Sequence, residues 1–196
     1  MNYARKWEKW LARRYGTQEA RRLIFEAESV YEKAWAEDVR QWGRGNQKSL
    51  RLRILPVLSI YKVLLEEGGD PEKVLEEVEE LIRVSFFTSM LQGIRMLNLL
   101  PNPFPIIRPS LRWMTMEDYL PGSQEVVEDS RDCFALNVYR CFTLDTLTAH
   151  GAPELTTLFC NTDDWLSEAM PKVSWERTKT LGRGDEVCDF RWCRRK

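Results

Sequence analysis

The sequence predicts an α+β protein: an N-terminal helical region packed with a small antiparallel sheet of about four strands in the C-terminal half. Three observations carry this. Apolar residues recur at helical spacing up to about Leu100, prolines crowd PNPFPIIRPS at 101–110, and from Ser123 onward several stretches alternate with a period of two. A chain of 196 residues suits one domain with one core. We read it as a helical scaffold over 1–100, a proline-rich connector over 101–122 and an α+β part over 123–196.

Tyr3 to Tyr15 is a short basic helix carrying Trp7 and Trp10, ended by Gly16, with Thr17 as the next N-cap. From Thr17 to Trp42, Leu23, Ile24, Ala27, Tyr31, Ala34 and Trp42 keep helical spacing, the pattern of a core stripe. GRGNQ at 43–47 breaks the run, and a third helix follows from about Lys48 to Glu67. Pro56 inside it predicts a kink or restart near Leu55. Gly68 and Gly69 end it, and Asp70 with Pro71 opens a fourth helix whose Val74, Val78, Leu81 and Ile82 share a face. The apolar stretch Val84 to Leu100 is broken by Gln92, Arg95 and Asn98, which reads as a buried helix rather than a membrane span.

With four prolines in ten residues, PNPFPIIRPS is expected to be neither helix nor central strand but a connector or lid. A short helix over Leu111 to Tyr119 and a turn at Pro121-Gly122 lead into strands at Ser123–Glu128 and Cys133–Arg140. Thr143–Ala149 and Pro153–Phe159 read as short helices, and Asn161 or Thr162 would cap another with Asp163 and Asp164 in its first turn. Strands at Val173–Leu181 and Val187–Arg194 are joined by GRGDE, with Cys188, Phe190 and Trp192 on one face of the last strand and Asp189 and Arg191 on the other.

The charge balance, 29 basic against 30 acidic residues for a net −1, gives no excess to draw the chain to nucleic acid or a membrane surface. Five cysteines without a CxxC pair, and an opening MNYARKWEKW that lacks an apolar leader core, predict a cytoplasmic protein with reduced thiols. Most of the eight tryptophans are expected to pack.

Chemistry concentrates between Asn137 and Arg191. Cys141 and Cys160 each precede an expected helix, whose free N–H groups would favour thiolate. Asp163 and Asp164 are either general bases or helix caps, and His150 is either a site residue or a helix C-cap. Arg140, Arg177 and Arg191 could grip a carboxylate or pair at the surface. Cys141, Cys160 and Cys188 would be the ligands of a zinc or iron ion if one is present, although no cofactor is expected. Cys133 and Cys193 read as strand filler.

The segment NVYRCFTLDTLTAHGAPELTTLFCNTDDWLSEAMPKVSWERTKTLGRGDEVCDFRW resembles the C-terminal signature of the L-2-amino-thiazoline-4-carboxylic acid hydrolase family. The similar elements are N-x-x-R-C, G-x-P-E-L, a cysteine followed by an acidic pair, E-R-T before a glycine turn, and C-D-F-R. The resemblance implies a hydrolase that adds water to the amidine carbon of a small cyclic substrate and opens the ring. It places catalytic roles on Cys141, Cys160, Asp163, Asp164 and Cys188, and substrate-binding roles on Asn137, Arg140, Asp189 and Arg191, to which position adds His150. Cys141 or Cys160 would be the thiolate nucleophile, Asp163 or Asp164 the base, and Arg140 or Arg191 the carboxylate anchor. A non-catalytic module that holds a metal or small ligand in the same cysteine-lined pocket is the alternative.

Overall fold

The computed structural model describes residues 1, 3–39, 44–117 and 123–195, with 44–45, 86–90, 92 and 113–117 as backbone only. Contacts divide the chain into two compact units, Met1–Thr88 and Ser89–Lys196.

In the first unit, α1 (Ala4–Tyr15) and α2 (Thr17–Asp38) are followed by α3 (Arg44–Ser49), a π-helical stretch Leu50–Ile54, α4 (Leu55–Glu66), α5 (Pro71–Ile82) and a second π-helical stretch Arg83–Phe87. Nearly every side chain of α4 from Leu55 to Leu64 is buried, which makes it the centre on which α2 and α5 pack. The wholly buried Trp7 fixes α1 to the end of α5, its Nε1 donating to Leu81 O and Ser85 Oγ, both at 3.1 Å. The irregularity expected at Pro56 is present. The π-helical turns give way to α4 at Leu55, so Pro56 falls in a first turn, where its missing N–H costs little. Asp70 caps α5 through Glu72 N and Lys73 N. Within the described residues α2 ends at Asp38, and the next helix starts at Arg44 rather than Lys48. Trp42 and the Pro121-Gly122 turn lie outside the described residues.

The second unit departs most from expectation at the prolines. After α6 (Thr88–Leu97), PNPFPIIRPS turns helical from Phe104 on, as α7 runs from Phe104 to Glu117. Pro103 stands at its cap, with its carbonyl accepting from Ile106 N and Ile107 N, and Pro105 lies in the first turn, whose N–H groups have no helical partner in any case. Asn102 Oδ1 takes the Phe104 N–H at 3.2 Å. Only Pro109 interrupts the helix interior, and the buried Phe104, Ile107 and Leu111 keep an apolar stripe that joins the core under the sheet.

The sheet comprises β1 (Gln124–Asp129), β2 (Cys133–Val138), β3 (Val173–Glu176) and β4 (Cys188–Arg194), antiparallel in the order β1-β2-β4-β3. Between strands lie α8 (Phe142–Ala149), a 3-10 turn at Pro153–Leu155, α9 (Thr156–Glu168) and a 3-10 turn at Leu181–Arg183. The two helices expected on either side of Cys160 are one. Thr162, expected as a cap, instead returns its hydroxyl to Phe159 O at 2.6 Å, which lets it sit in a helix interior. The strand expected to reach Leu181 stops at Glu176.

Register sorts the side chains. Leu136 faces Phe190, Val138 faces Cys188 and Trp175 faces Trp192, so these share the buried face with Phe134 and Val173. Asn137 opposite Asp189, Ala135 opposite Arg191 and Cys133 opposite Cys193 lie on the other face. Cys133 and Cys193 are not filler. They form a disulfide across β2 and β4, with Cα atoms 4.1 Å apart, which corrects the expectation of five reduced thiols. Among the described residues no helix is long and apolar enough to cross a membrane.

Candidate functional site

Strand pairing puts Cys188 at the start of β4 on the buried face, and the turn after β3 folds back over it. Leu181 N donates to Cys188 Sγ at 3.2 Å, and Thr180 Oγ1 stands 3.5 Å from both Cys188 Sγ and Cys160 Sγ. One hydroxyl therefore bridges two free thiols. Gly182 closes the arrangement, since a β-carbon there would stand 2.7 Å from Cys160 Sγ and 3.0 Å from Thr156 Cγ2. Gly184, with φ +96, gives the turn its left-handed exit.

Asp189 holds this turn from the opposite face of β4. Its carboxylate accepts from Thr178 N (2.8 Å), Thr178 Oγ1 (2.6 Å) and Lys179 N (2.6 Å). Partial burial works to raise its pKa, but these hydrogen bonds outweigh it and hold the group below the usual carboxylate value. Asp185 Oδ2 accepts from Thr180 N at 2.7 Å, so the backbone that presents Thr180 is fixed at both ends.

The acidic pair is placed by α9 and held by an arginine. Arg177, 3% exposed at its side chain, reaches both oxygens of Asp164 at 2.8 Å, Asp163 Oδ2 at 3.3 Å and Cys160 O at 3.3 Å. Its guanidinium lies over the Trp175 and Phe190 rings, 5.6 and 5.7 Å from their centroids. Trp175 Nε1 donates a further bond to Asp164 Oδ1 at 3.2 Å. Arg183, half exposed, meets Asn161 Oδ1 at 3.2 Å and Asp164 Oδ2 at 3.5 Å. Arg177 is thus a clamp between β3 and α9 beneath Cys160.

The two thiols expected at helix starts are placed differently, Cys141 at the N-cap of α8 and Cys160 inside α9. Cys160 lies within α9, where no free N–H end reaches it, and burial pushes its pKa up, with Asp163 adding to the rise against Thr180 and Arg177. Cys141 stands at the N-cap of α8 without a side-chain capping bond. Burial, against the lowering influence of the nearby Leu144 and Thr143 backbone, pushes its pKa up to about 11. Cys141, Cys160 and Cys188 are the free thiols.

The structure does not bring the remaining expected residues to this cluster. Asn137 and Arg191 occupy the opposite face, where Arg191 donates to Asn137 Oδ1, Leu136 O and Phe190 O at 2.8 to 3.0 Å. Arg140, largely exposed, is paired with Asp145 at 2.6 Å. His150 stands at the C-cap of α8. Thr156, Thr180 and Gly182 escape motif reasoning because threonine and glycine carry no chemical signature, and Arg183 because it stands in a glycine turn. For Thr180, Gly182 and Arg183 the one sequence pattern is E-R-T before the glycine turn, read there as a hairpin connection, and Thr156 lies outside it. Among the described residues no group of three or more His, Cys, Asp or Glu is placed to hold a metal ion; Leu181 N donates to Cys188 Sγ, and the Thr180 hydroxyl lies within reach of both sulfurs.

The fold and this site define an α+β protein with a thiol cluster buttressed by an arginine–carboxylate clamp. The family model for L-2-amino-thiazoline-4-carboxylic acid hydrolase matches residues 47–192, and the chain belongs to that family. The match takes in the helices from Gln47 onward as well as the C-terminal signature. No curated protein matches the chain. Among solved structures it is similar to the crystal structure of a mutant Fe(II) unliganded H-NOX protein from K. algicida, at 9% identity over 97% of this chain and 93% of that chain. The TM-score is 0.30, which carries no argument about fold or ligand.

Proposed function

We propose that this chain is a hydrolase that opens a small cyclic amidine of the thiazoline type by adding water at its C=N carbon. The observation that supports it most, in a chain of this family, is the half-buried Cys160 thiol set between the Thr180 hydroxyl and the acidic pair of its own helix. Because burial favours the protonated thiol, attack needs a base. Arg177 holds both carboxylates, Asp164 through two 2.8 Å contacts and Asp163 through one of 3.3 Å, and the role goes to the less tightly held Asp163, one helical turn beyond Cys160.

Cys160 sulfur bonds to the amidine carbon while its proton passes to Asp163. The ring C–S bond then breaks, and the ring sulfur leaves as a thiol with that proton. Water attacks the same carbon, now an isothiourea carbon on Cys160. The Cys160–carbon bond breaks, the proton from water returns to Cys160 by way of Asp163, and a ring-opened urea leaves. The half-exposed Arg183 guanidinium, exchanging its bonds to Asn161 and Asp164, takes the substrate carboxylate rather than Arg191, which lies on the opposite face of the sheet.

The test is release of thiol from 2-amino-thiazoline-4-carboxylate by the purified chain, with Cys160→Ser beside it. Turnover lost in the variant while circular dichroism is unchanged supports the reading. No thiol release from this or related cyclic amidines overturns it.

A further inference from the structure

Two thiols of the site meet at one hydroxyl. Thr180, 3% exposed, stands with its Oγ1 3.5 Å from Cys160 Sγ and 3.5 Å from Cys188 Sγ. A hydroxyl has one proton to give and lone pairs that accept. Cys188 Sγ already takes the Leu181 N–H at 3.2 Å. The arrangement that uses every donor therefore runs one way: Leu181 N–H to the Cys188 sulfur, the Cys188 S–H to Thr180 Oγ1, and the Thr180 O–H to Cys160 Sγ. It ends on the half-buried thiol.

The hydroxyl is also placed before any reaction begins. Thr180 N donates to Asp185 Oδ2 at 2.7 Å, and Thr180 O accepts from Arg183 N at 3.0 Å and Asp185 N at 3.3 Å. One residue earlier, Lys179 N donates to Asp189 Oδ1 at 2.6 Å and Lys179 O accepts from Asp189 N at 3.3 Å. A donor fixed before charge develops costs no reorganisation when it does. Burial raises the Cys160 pKa, and the Thr180 hydroxyl is the largest influence against it. Asp163 on the same helix and Cys188 on β4 add to the rise, while Arg177 after β3 opposes it. Cys160 in turn adds to the burial-driven rise at Cys141, on the N-cap of α8.

We propose that Thr180 is a positioning residue for the Cys160 nucleophile: its hydroxyl, backed by the Cys188 thiol, donates to Cys160 Sγ and supports the negative charge that the sulfur gains as its proton passes to Asp163. Cys188 is then the link behind Thr180 rather than a second nucleophile. This rests on the hydrolase reading above, in which Cys160 attacks.

The test compares the wild-type chain with Thr180→Val, which keeps the shape and removes the hydroxyl, and Thr180→Ser, which keeps the hydroxyl. One readout is the rate of Cys160 alkylation by iodoacetamide at about pH 8 in the free protein, followed by peptide mass spectrometry. The other is kcat and KM for 2-amino-thiazoline-4-carboxylate. Without the donor less of Cys160 is thiolate, an effect partly offset by the higher nucleophilicity of the thiolate that remains. Thr180→Val is therefore expected to slow Cys160 alkylation about threefold. It is also expected to lower kcat about tenfold with KM within about twofold of wild type. Thr180→Ser is expected to keep both rates within about twofold of wild type. A loosened turn would expose Cys160 and speed its alkylation, so the sign separates a lost donor from lost structure. Unchanged or faster alkylation in Thr180→Val, or an unchanged kcat, overturns the proposal. A wild-type chain without turnover on cyclic amidines overturns the hydrolase reading, whereas alkylation slowed in Thr180→Val and restored in Thr180→Ser still upholds the bond from Thr180 to Cys160.

Discussion

The two faces of the sheet use the same residue types to different ends. On one, Cys188 stays a free thiol beside Thr180 and Cys160, and Arg177 clamps the carboxylates of the helix that carries Cys160. On the other, five residues along the same strand, Cys193 is bonded to Cys133, and Arg191 is spent on two carbonyls and Asn137. Alternation along β4 thus divides a motif that is continuous in sequence into a chemical half and a structural half. Asp189 links them, since it sits on the structural face yet pins the turn that brings Thr180 to the thiols.

The division can be broken most sharply at the cysteines. Cys160→Ser should lower kcat by about three orders of magnitude or more if it removes the nucleophile, with little change in stability. Removing the disulfide with Cys133→Ala and Cys193→Ala opens a link across a separation of 60 residues and should destabilise by up to about 4 kcal/mol in denaturant titrations. KM should stay within about threefold of wild type. A large rise in KM in that double variant would mean that the structural face reaches the substrate.

The arginines sharpen the contrast next. Arg177→Met leaves two partly exposed carboxylates without their clamp, and a loss of about 3 kcal/mol is expected, together with a fall in kcat as Cys160 loses its support. Arg191→Met forfeits hydrogen bonds to neutral groups and should cost about 1 to 2 kcal/mol with kcat retained. Urea midpoints and steady-state rates on the same preparations read both effects.

The smallest effect is one of pH. The Cys141 and Cys160 thiols have folded pKa values above the ordinary 9.0, about 11 for Cys141, so the unfolded chain releases these protons first as pH rises. Their contribution is fully present below pH 9.0 and lost as pH climbs towards about 11. Denaturation midpoints should therefore fall across that window, and less so in Cys141→Ala. The bonded pair on the other face does not titrate.

Much of this was legible beforehand, and what was not has identifiable causes. Helical spacing located α1, α2 and α5, and alternation assigned Cys188, Phe190 and Trp192 to one face of the last strand correctly. The prolines misled because position, not number, decides their effect: Pro103 and Pro105 stand where a helix needs no donor. Reading Asn161 and Thr162 as caps split one helix in two, and with it went the argument for an activated Cys160. The pairing of Cys133 with Cys193 depends on register, which no spacing rule supplies. For Thr156 and Gly182 the information lies wholly in what packs against them.

The most direct measurement is peptide mapping by mass spectrometry after acid quench of the chain during turnover of 2-amino-thiazoline-4-carboxylate. A substrate-derived adduct on the peptide carrying Cys160, absent from Cys160→Ser, is the predicted result. An adduct on Cys141 or Cys188, or turnover with no adduct and an active Cys160→Ser, would contradict the assignment of the chemistry to Cys160.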